Sequence, residues 1–207
     1  MSLLIIIIFV LAGLYIYTDF TKNKLKYIFK PLTTILVIII AIMQQNESDN
    51  LYGYLIIAGL VFSLFGDIFL MLPKDKFVQG LASFLIAHIF YIVAFSSGFG
   101  PYLGVGYLLP AVIYASVFLW ILLPKTGEMK IPVLVYALVL MVFLWQAIGR
   151  FYYLGNQGSF YIIIGAILFV ISDTILAYAR FIKSFKISSA LIHLTYWGAQ
   201  AFIALSI

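Results

Sequence analysis

The sequence predicts an all-α integral membrane protein with eight transmembrane helices, two parallel four-helix repeats and both termini outside the cytoplasm. Three observations support this prediction: the composition, the placement of charges and a repeated pattern of acidic and aromatic residues. Of the 207 residues, 65% are hydrophobic and 9% are charged, and the mean hydropathy is +1.17. Soluble domains average about 45–50% apolar and about 25% charged residues, so a chain this apolar requires lipid around it.

Charges and turn residues divide the chain into eight apolar stretches, each near the roughly 20 residues that a transmembrane helix needs. The stretches cover approximately residues 2–18, 28–44, 51–72, 78–96, 103–123, 131–150, 159–179 and 187–206. The first is interpreted as a retained helix because it lacks a basic start and a small-residue cleavage site. The connections are short, so we expect one membrane domain over residues 1–207.

Basic residues are concentrated in every second loop, and this bias predicts the orientation of the helices in the membrane. Eleven of the 12 lie in the odd-numbered loops: Lys22, Lys24, Lys26, Lys30, Lys74, Lys76, Lys125, Lys130, Arg180, Lys183 and Lys186. Cytoplasmic loops carry an excess of Lys and Arg, so the odd-numbered loops should be cytoplasmic. The remaining one, Arg150, should extend its charged head to the outer boundary.

An internal repeat relates residues 1–100 to residues 101–207. The stretches GLVFSLFGD and GAILFVISD each place an acid eight residues after a glycine, ending at Asp67 and Asp173. The next predicted helices contain HIFY from His88 and HLTY from His193. Matching helices are four apart, which indicates a parallel repeat related by an axis along the membrane normal.

Asp67 and Asp173 are the only acids inside the apolar stretches. Each lies roughly 9–10 Å inside the predicted cytoplasmic boundary, at a rise of 1.5 Å per residue. Burying a carboxylate in a span is costly, and such residues are usually functional, so a carboxylate pair or proton site is favoured over a purely structural hydrogen bond.

Further polar residues lie on helix faces near these acids and are predicted to contact a substrate. They are Lys30, Ser63, His88, Tyr91, His193, Tyr196 and Gln200. For the two histidines, interhelical hydrogen bonds and aromatic packing are an equally good explanation. For Lys30, the excess of cytoplasmic positive charge is a better explanation than pairing with a lipid phosphate or a substrate head group.

Several chemistries find no support. The absence of cysteine excludes disulfides, thiol nucleophiles and cysteine metal sites. The two histidines lack the spacing of metal-ligand pairs, so no metal is expected, and no phosphate loop suggests a nucleotide cofactor. The net charge of +5 comes from the loops and shows no basic, aromatic-interleaved patch for nucleic acid.

Five segments resemble the YhhN family of membrane proteins, which includes the lysoplasmalogenases. They are KPLTT from Lys30, GLVFSLFGDIFLML from Gly59, GLASFLIAHIFYIVAF from Gly80, GAILFVISDTILAYARF from Gly165 and TYWGAQ from Thr195. The resemblance implies an eight-helix hydrolase that cleaves the vinyl-ether bond of lysoplasmalogens. The products would be a fatty aldehyde and glycerophosphocholine or glycerophosphoethanolamine, with Asp67 and Asp173 matching the family's intramembrane acids.

Vinyl-ether hydrolysis needs a protonated acid and a second group that positions or deprotonates water. We therefore expect Asp67 and Asp173 to share one cavity and one proton, without a metal or organic cofactor. The alternatives are a proton-coupled transporter and a non-catalytic lysolipid-binding protein. Uptake of a substrate into proteoliposomes without chemical change would favour the transporter. The expected partners are a lysophospholipid and the bilayer, in a bacterial inner membrane; the sequence says nothing of the oligomeric state.

Overall fold

A computed structural model describes residues 2–45, 50–98, 100–102, 104–106 and 108–207. Within these residues the fold consists of eight α-helices and two short 3₁₀ turns, without strands. The helices are α1 (Ser2–Phe20), α2 (Lys26–Gln44), α3 (Asn50–Met71), α4 (Phe77–Ser96), α5 (Leu108–Leu122), α6 (Lys130–Leu154), α7 (Gln157–Phe181) and α8 (Ser188–Ala204). The 3₁₀ turns, Leu123–Lys125 and Gly127–Met129, join α5 to α6.

Six of the described helices are long and apolar enough to cross a membrane: α1 to α4, α6 and α7. The chain is therefore an integral membrane protein. The other two, α5 and α8, have 15 and 17 residues. At a rise of 1.5 Å per residue they are about 23 and 26 Å long, shorter than a hydrocarbon core of about 30 Å. The α5 helix begins later than the sequence predicts, while α6 and α7 each extend beyond their predicted ends.

Large apolar side chains cover the outside of the helix bundle. Trp120 is 80% exposed, Ile131 is 72% exposed and Leu3 is 69% exposed. Contiguous apolar surface of this kind marks a membrane or protein interface. Here it lies on the outer faces of the helices, including α5, and it accounts for the apolar composition of the sequence.

Glycines allow two helix pairs, α3 with α4 and α7 with α8, to pack closely. A Cβ atom at Gly59 would lie 2.3 Å from the ring of Tyr91. A Cβ atom at Gly165 would lie 3.0 Å from the carbonyl oxygen of Ala199. Small residues at such positions let helix backbones approach each other in lipid. The two glycines that precede the intramembrane acids therefore hold equivalent helix contacts.

Arg150 differs from its predicted role at the outer boundary. Its side chain is buried at 6% exposure, so it does not extend into the membrane interface. The guanidinium donates hydrogen bonds to the carbonyl oxygens of Ala94 and Ser97, both at 3.2 Å. It also lies 4.0 Å from the ring centroid of Tyr52. The prediction was wrong because the carbonyl end of α4, where the helix dipole is negative, lies beside Arg150 and attracts this cation.

Candidate active site

Asp67 lies in α3, one turn before the helix ends at Met71, and is 2% exposed. Its Oδ2 atom accepts hydrogen bonds from the hydroxyl of Thr34 at 2.6 Å and the hydroxyl of Tyr196 at 2.8 Å. Its Oδ1 atom lies 3.4 Å from the ammonium nitrogen of Lys30. Three helices, α2, α3 and α8, therefore converge on one carboxylate.

Helix α2 presents two of these partners from one face. Lys30 and Thr34 are four residues apart, so their side chains lie on the same side of the helix. Thr34 also accepts a hydrogen bond from the indole nitrogen of Trp197 at 3.1 Å, which links α2 to α8. The hydroxyl of Thr34 is thus oriented by one neighbour while it donates to Asp67.

Asp173 lies at the corresponding place in α7 but has different surroundings. Its Oδ2 atom accepts a hydrogen bond from the hydroxyl of Tyr136 at 2.6 Å. Among the described residues, no lysine or arginine forms an ion pair with Asp173. The two acids therefore differ in charge environment: Asp67 has a cation beside it and Asp173 has a neutral phenol.

A cavity of about 330 Å³ opens between α1, α2, α3, α4, α7 and α8, and we call it the polar cavity. Asp67 and Asp173 both line it. Within the part of the chain that the structure describes, no hydrogen bond joins the two carboxylates directly. Other polar side chains that line the cavity are Tyr15, Asp19, Lys26, Lys30, Ser172, Arg180, Ser188, Ser189, His193 and Tyr196.

A second space of about 90 Å³, the apolar groove, lies between α4, α5, α6 and α7. Leucine, alanine and aromatic side chains form most of its wall. Asp173 lines the apolar groove as well as the polar cavity. This one carboxyl group therefore stands where an apolar space and a polar space meet.

The sequence of this membrane bundle matches a known protein family. The sequence profile of the YhhN family matches residues 25–207. The chain belongs to the YhhN family. The match includes every residue described above for the two acids and their direct partners.

Some relatives of this chain are named as enzymes. The chain is 35% identical over 156 residues to lysoplasmalogenase TMEM86B of Homo sapiens, covering 75% of this chain and 64% of the human protein. It is 32% identical over 178 residues to lysoplasmalogenase TMEM86B of Mus musculus, covering 86% and 72%.

The membrane protein YhhN of Escherichia coli O157:H7 is 24% identical over 184 residues, covering 88% of this chain and 86% of that protein. The chain thus spans less than two thirds of the human relative. No solved structure matches.

The residues that the sequence singles out in this YhhN family member separate into two groups. Lys30, His193 and Tyr196 line the polar cavity with the two acids. The others are buried between helices and line neither the polar cavity nor the apolar groove; they are Ser63, His88, Tyr91 and Gln200.

The second group forms contacts of its own. Tyr91 donates a hydrogen bond to Gln200 at 2.9 Å and lies 3.4 Å from the hydroxyl of Ser63. The Nδ1 atom of His88 bonds to the carbonyl oxygen of Phe84 at 2.7 Å. These contacts hold α3, α4 and α8 together at a distance from the polar cavity, as buried polar groups commonly do.

Two direct partners of the acids escaped the sequence prediction, Thr34 and Tyr136, and so did the role of Trp197 as a donor to Thr34. A signal existed for Thr34, because it lies four residues after Lys30 within the segment KPLTT. No comparable signal exists for Tyr136, since tyrosine is frequent in this chain. Among the described residues, no group of three or more His, Cys, Asp or Glu side chains is placed to hold a metal ion.

Proposed function

We propose that this protein hydrolyses the vinyl-ether bond of lysoplasmalogens to a fatty aldehyde and glycerophosphocholine or glycerophosphoethanolamine. Membership of the YhhN family and relatives named lysoplasmalogenase support the proposal. The substrate would come from the surrounding bilayer. Asp67 and Asp173 are the proposed catalytic groups, and Lys30, Thr34 and Tyr196 hold Asp67.

The observation that carries this proposal is the position of Asp173 between the apolar groove and the polar cavity. In a lysoplasmalogen, the vinyl-ether bond joins the alkenyl chain to the polar glycerol. A substrate with its chain in the apolar groove and its head group in the polar cavity brings this bond to Asp173. An ordinary phospholipase site would instead need a nucleophile or metal-bound water near an ester.

The environments of the two acids divide their roles. A buried carboxylate is stable only when a cation and hydrogen-bond donors compensate its charge. Asp67 has Lys30, Thr34 and Tyr196 around it and is the charged member of the pair. Asp173 has one phenol and no ion-pair partner among the described residues, so it is the member that carries the proton.

Hydrolysis then begins with transfer of the Asp173 proton to the β-carbon of the vinyl ether. The resulting oxocarbenium ion is positive, and the carboxylate of Asp67 across the polar cavity stabilises it. Water adds to the α-carbon, and the hemiacetal collapses to aldehyde and free glycerol hydroxyl. General acid catalysis of this kind contributes about 10²–10⁴-fold to a rate. None of these steps requires a cofactor.

The arrangement in the membrane is part of the proposal. We infer that all eight helices span the bilayer as one domain of two parallel repeats, with both termini outside and the odd-numbered loops cytoplasmic. Helix contacts that correspond in the two repeats support a two-fold relation. Helix α3 packs on α4 as α7 packs on α8, and α2 packs on α8 as α6 packs on α4. The bacterial relative supports a bacterial inner membrane.

Purified protein in detergent or liposomes, incubated with lysoplasmenyl-ethanolamine and lysoplasmenyl-choline, tests the reaction. We expect release of fatty aldehyde, and loss of at least about 100-fold in rate in Asp67→Asn and in Asp173→Asn. Glu128→Gln, an exposed acid in a 3₁₀ turn, is the matched control and should keep full activity. Full activity in either Asp variant, or lysolipid uptake without aldehyde, contradicts the proposal.

A further inference from the structure

His193 faces the polar cavity with one ring nitrogen committed to the backbone. Its Nδ1 atom lies 2.7 Å from the carbonyl oxygen of Ser189, one turn earlier in α8. A carbonyl oxygen only accepts hydrogen bonds, so Nδ1 must carry the hydrogen. In the neutral ring, the proton is then absent from Nε2, which keeps a lone pair. Because His193 is only 8% exposed and lines the cavity, this lone pair belongs to an enclosed site.

Neighbouring side chains hold the ring in place. The ring of Tyr15 lies 4.4 Å from the His193 ring centroid, and Trp197 lies 5.2 Å away. The hydroxyl of Ser189 donates a hydrogen bond to Asp19 at 2.7 Å. The peptide that accepts from Nδ1 therefore belongs to a residue anchored to α1. Fixing one imidazole nitrogen in this way sets the tautomer and direction of the other.

His88 provides an internal comparison. Its Nδ1 atom forms the same bond to the carbonyl oxygen four residues earlier, at 2.7 Å, so its Nε2 atom also keeps the lone pair. That Nε2 atom is completely buried without a partner, and the rings of Phe143 and Phe169 lie against the imidazole. The two repeats thus contain the same histidine tautomer, but only His193 lines the polar cavity.

Asp67 is poorly placed to accept a proton from water. Two hydroxyl groups already donate to its Oδ2 atom, and the ammonium group of Lys30 lies beside Oδ1. These contacts already occupy lone pairs of both carboxylate oxygens, which leaves less room for a water molecule to donate to Asp67. His193 offers a free lone pair in the same cavity: no hydrogen bond to its Nε2 atom occurs among the residues that the structure describes.

We propose that His193 is the catalytic base that deprotonates the attacking water and the acid that then releases the glycerol. This inference rests on the proposed vinyl-ether hydrolysis. After Asp173 has protonated the β-carbon, water adds to the oxocarbenium carbon and its proton passes to Nε2 of His193. The imidazolium then gives that proton to the ether oxygen as the carbon–oxygen bond breaks. The hemiacetal hydroxyl returns its proton to Asp173, which restores both residues and balances the reaction.

Chemical rescue tests the inference in the active protein. Aldehyde release by His193→Gly should fall about 100-fold or more, and added imidazole should restore at least a tenth of the lost rate. If the His193 ring has only a structural role, added imidazole will not restore the rate of aldehyde release. His88→Gly is the matched variant: imidazole should not restore it, because His88 is fully buried and lines neither the polar cavity nor the apolar groove. Near wild-type activity in His193→Gly, or no effect of imidazole, overturns the inference.

A second measurement needs no variant and no turnover. In ¹⁵N-histidine NMR spectra of the full chain in detergent, the His193 signals should show a protonated Nδ1 and an unprotonated Nε2. A proton on Nε2 instead of Nδ1 overturns the inference. This result can be obtained even if the His193→Gly variant does not fold and the rescue experiment fails for that reason. Absence of aldehyde from the wild-type protein, with this tautomer present, would instead overturn the proposed function on which the catalytic role rests.

Discussion

Lys30 and Asp67 form an ion pair inside the helix bundle, with the ammonium nitrogen 3.4 Å from the carboxylate and side chains only 6% and 2% exposed. Taking two charges out of water is costly, so neither is stable there without the other. Their juxtaposition gives Asp67 a cation within the polar cavity, whereas Asp173 forms no ion pair among the described residues. The pair therefore governs both stability and the proposed division of catalytic roles.

Removal of the cation from this pair should destabilise the protein. We expect Lys30→Met to lower the free energy of unfolding by about 3–5 kcal/mol, because an uncompensated carboxylate remains buried. The double variant Lys30→Met/Asp67→Asn should recover most of that loss and still release no aldehyde. Unfolding in detergent measures stability, with exposed Lys24→Met as control. A single variant as stable as the wild type contradicts this account.

The two hydroxyl donors to Asp67 should differ in their contribution. Thr34→Val removes a donor to Asp67 and also leaves the Trp197 indole without its acceptor, whereas Tyr196→Phe removes one donor only. An unsatisfied buried polar group costs about 1–3 kcal/mol. Thr34→Val should therefore reduce the free energy of unfolding more than Tyr196→Phe does. The reverse order in chemical unfolding would show that the Trp197 contact is unimportant.

The apolar groove should select the alkenyl chain. Ala137 lines the groove, and Ala137→Phe would fill part of it. We expect aldehyde release from long-chain substrates to fall about tenfold or more, with a smaller effect on short-chain substrates, because pocket size discriminates chains by their added methylenes. Leu138→Phe, at a neighbouring side chain that is 49% exposed, is the control. An equal effect on both chain lengths argues against chain binding in this groove.

Arg150 should support stability rather than catalysis. Its guanidinium joins α6 to the end of α4 through hydrogen bonds to Ala94 and Ser97. Hydrogen bonds to charged groups contribute about 1.5–3 kcal/mol, so Arg150→Met should destabilise the protein by about that amount. Arg150→Lys should not restore it, because lysine lacks the planar fork. The rate per folded molecule should stay unchanged; a lower rate in fully folded Arg150→Met would contradict a purely structural role.

The close approach of α7 and α8 depends on Gly165. An added methyl group would lie 2.8 Å from Ile203 Cγ1 and 3.0 Å from the Ala199 carbonyl oxygen, so Gly165→Ala should cost about 1–3 kcal/mol through overpacking. Gly13 in α1 has nothing within 4 Å of such a methyl group. Gly13→Ala should therefore stabilise the protein slightly, by helix propensity. Equal melting temperatures for the two variants would contradict the tight contact.

The sequence predicted the positions of most helices closely because apolar runs and charge breaks are local features. The third and fourth predicted stretches end within a residue of α3 and α4. The start of α5 was predicted less well, since turn residues precede it and Pro110 lies within it. Arg150 was predicted to reach the interface because only its position along α6 was visible, and not the carbonyl groups of α4.

The structure brings together those predicted site residues whose signal lay in a single helix, since Asp67, Asp173 and Lys30 all line the polar cavity. Asp67, Asp173 and Lys30 are conspicuous as charges in or beside apolar runs. Ser63 shares a helix stripe with Asp67, yet it contacts Tyr91 and lies away from the polar cavity. Each residue along a helix turns the side chain by about 100°, so a small rotation of the whole helix decides which polar group faces a cavity.

By itself, the sequence determined that this protein belongs in a lipid membrane, that its elements are helices and that two of them carry acids within their apolar runs. Composition and spacing suffice for those conclusions because each depends on neighbours along the chain. Only the tertiary structure decided that Thr34 and Tyr196, 33 and 129 residues from Asp67, are its donors. Such contacts depend on how separate helices are rotated and packed, and no local pattern records that. The same packing gave Asp173 a phenol instead of a cation, and so distinguished two acids that look equivalent in the sequence.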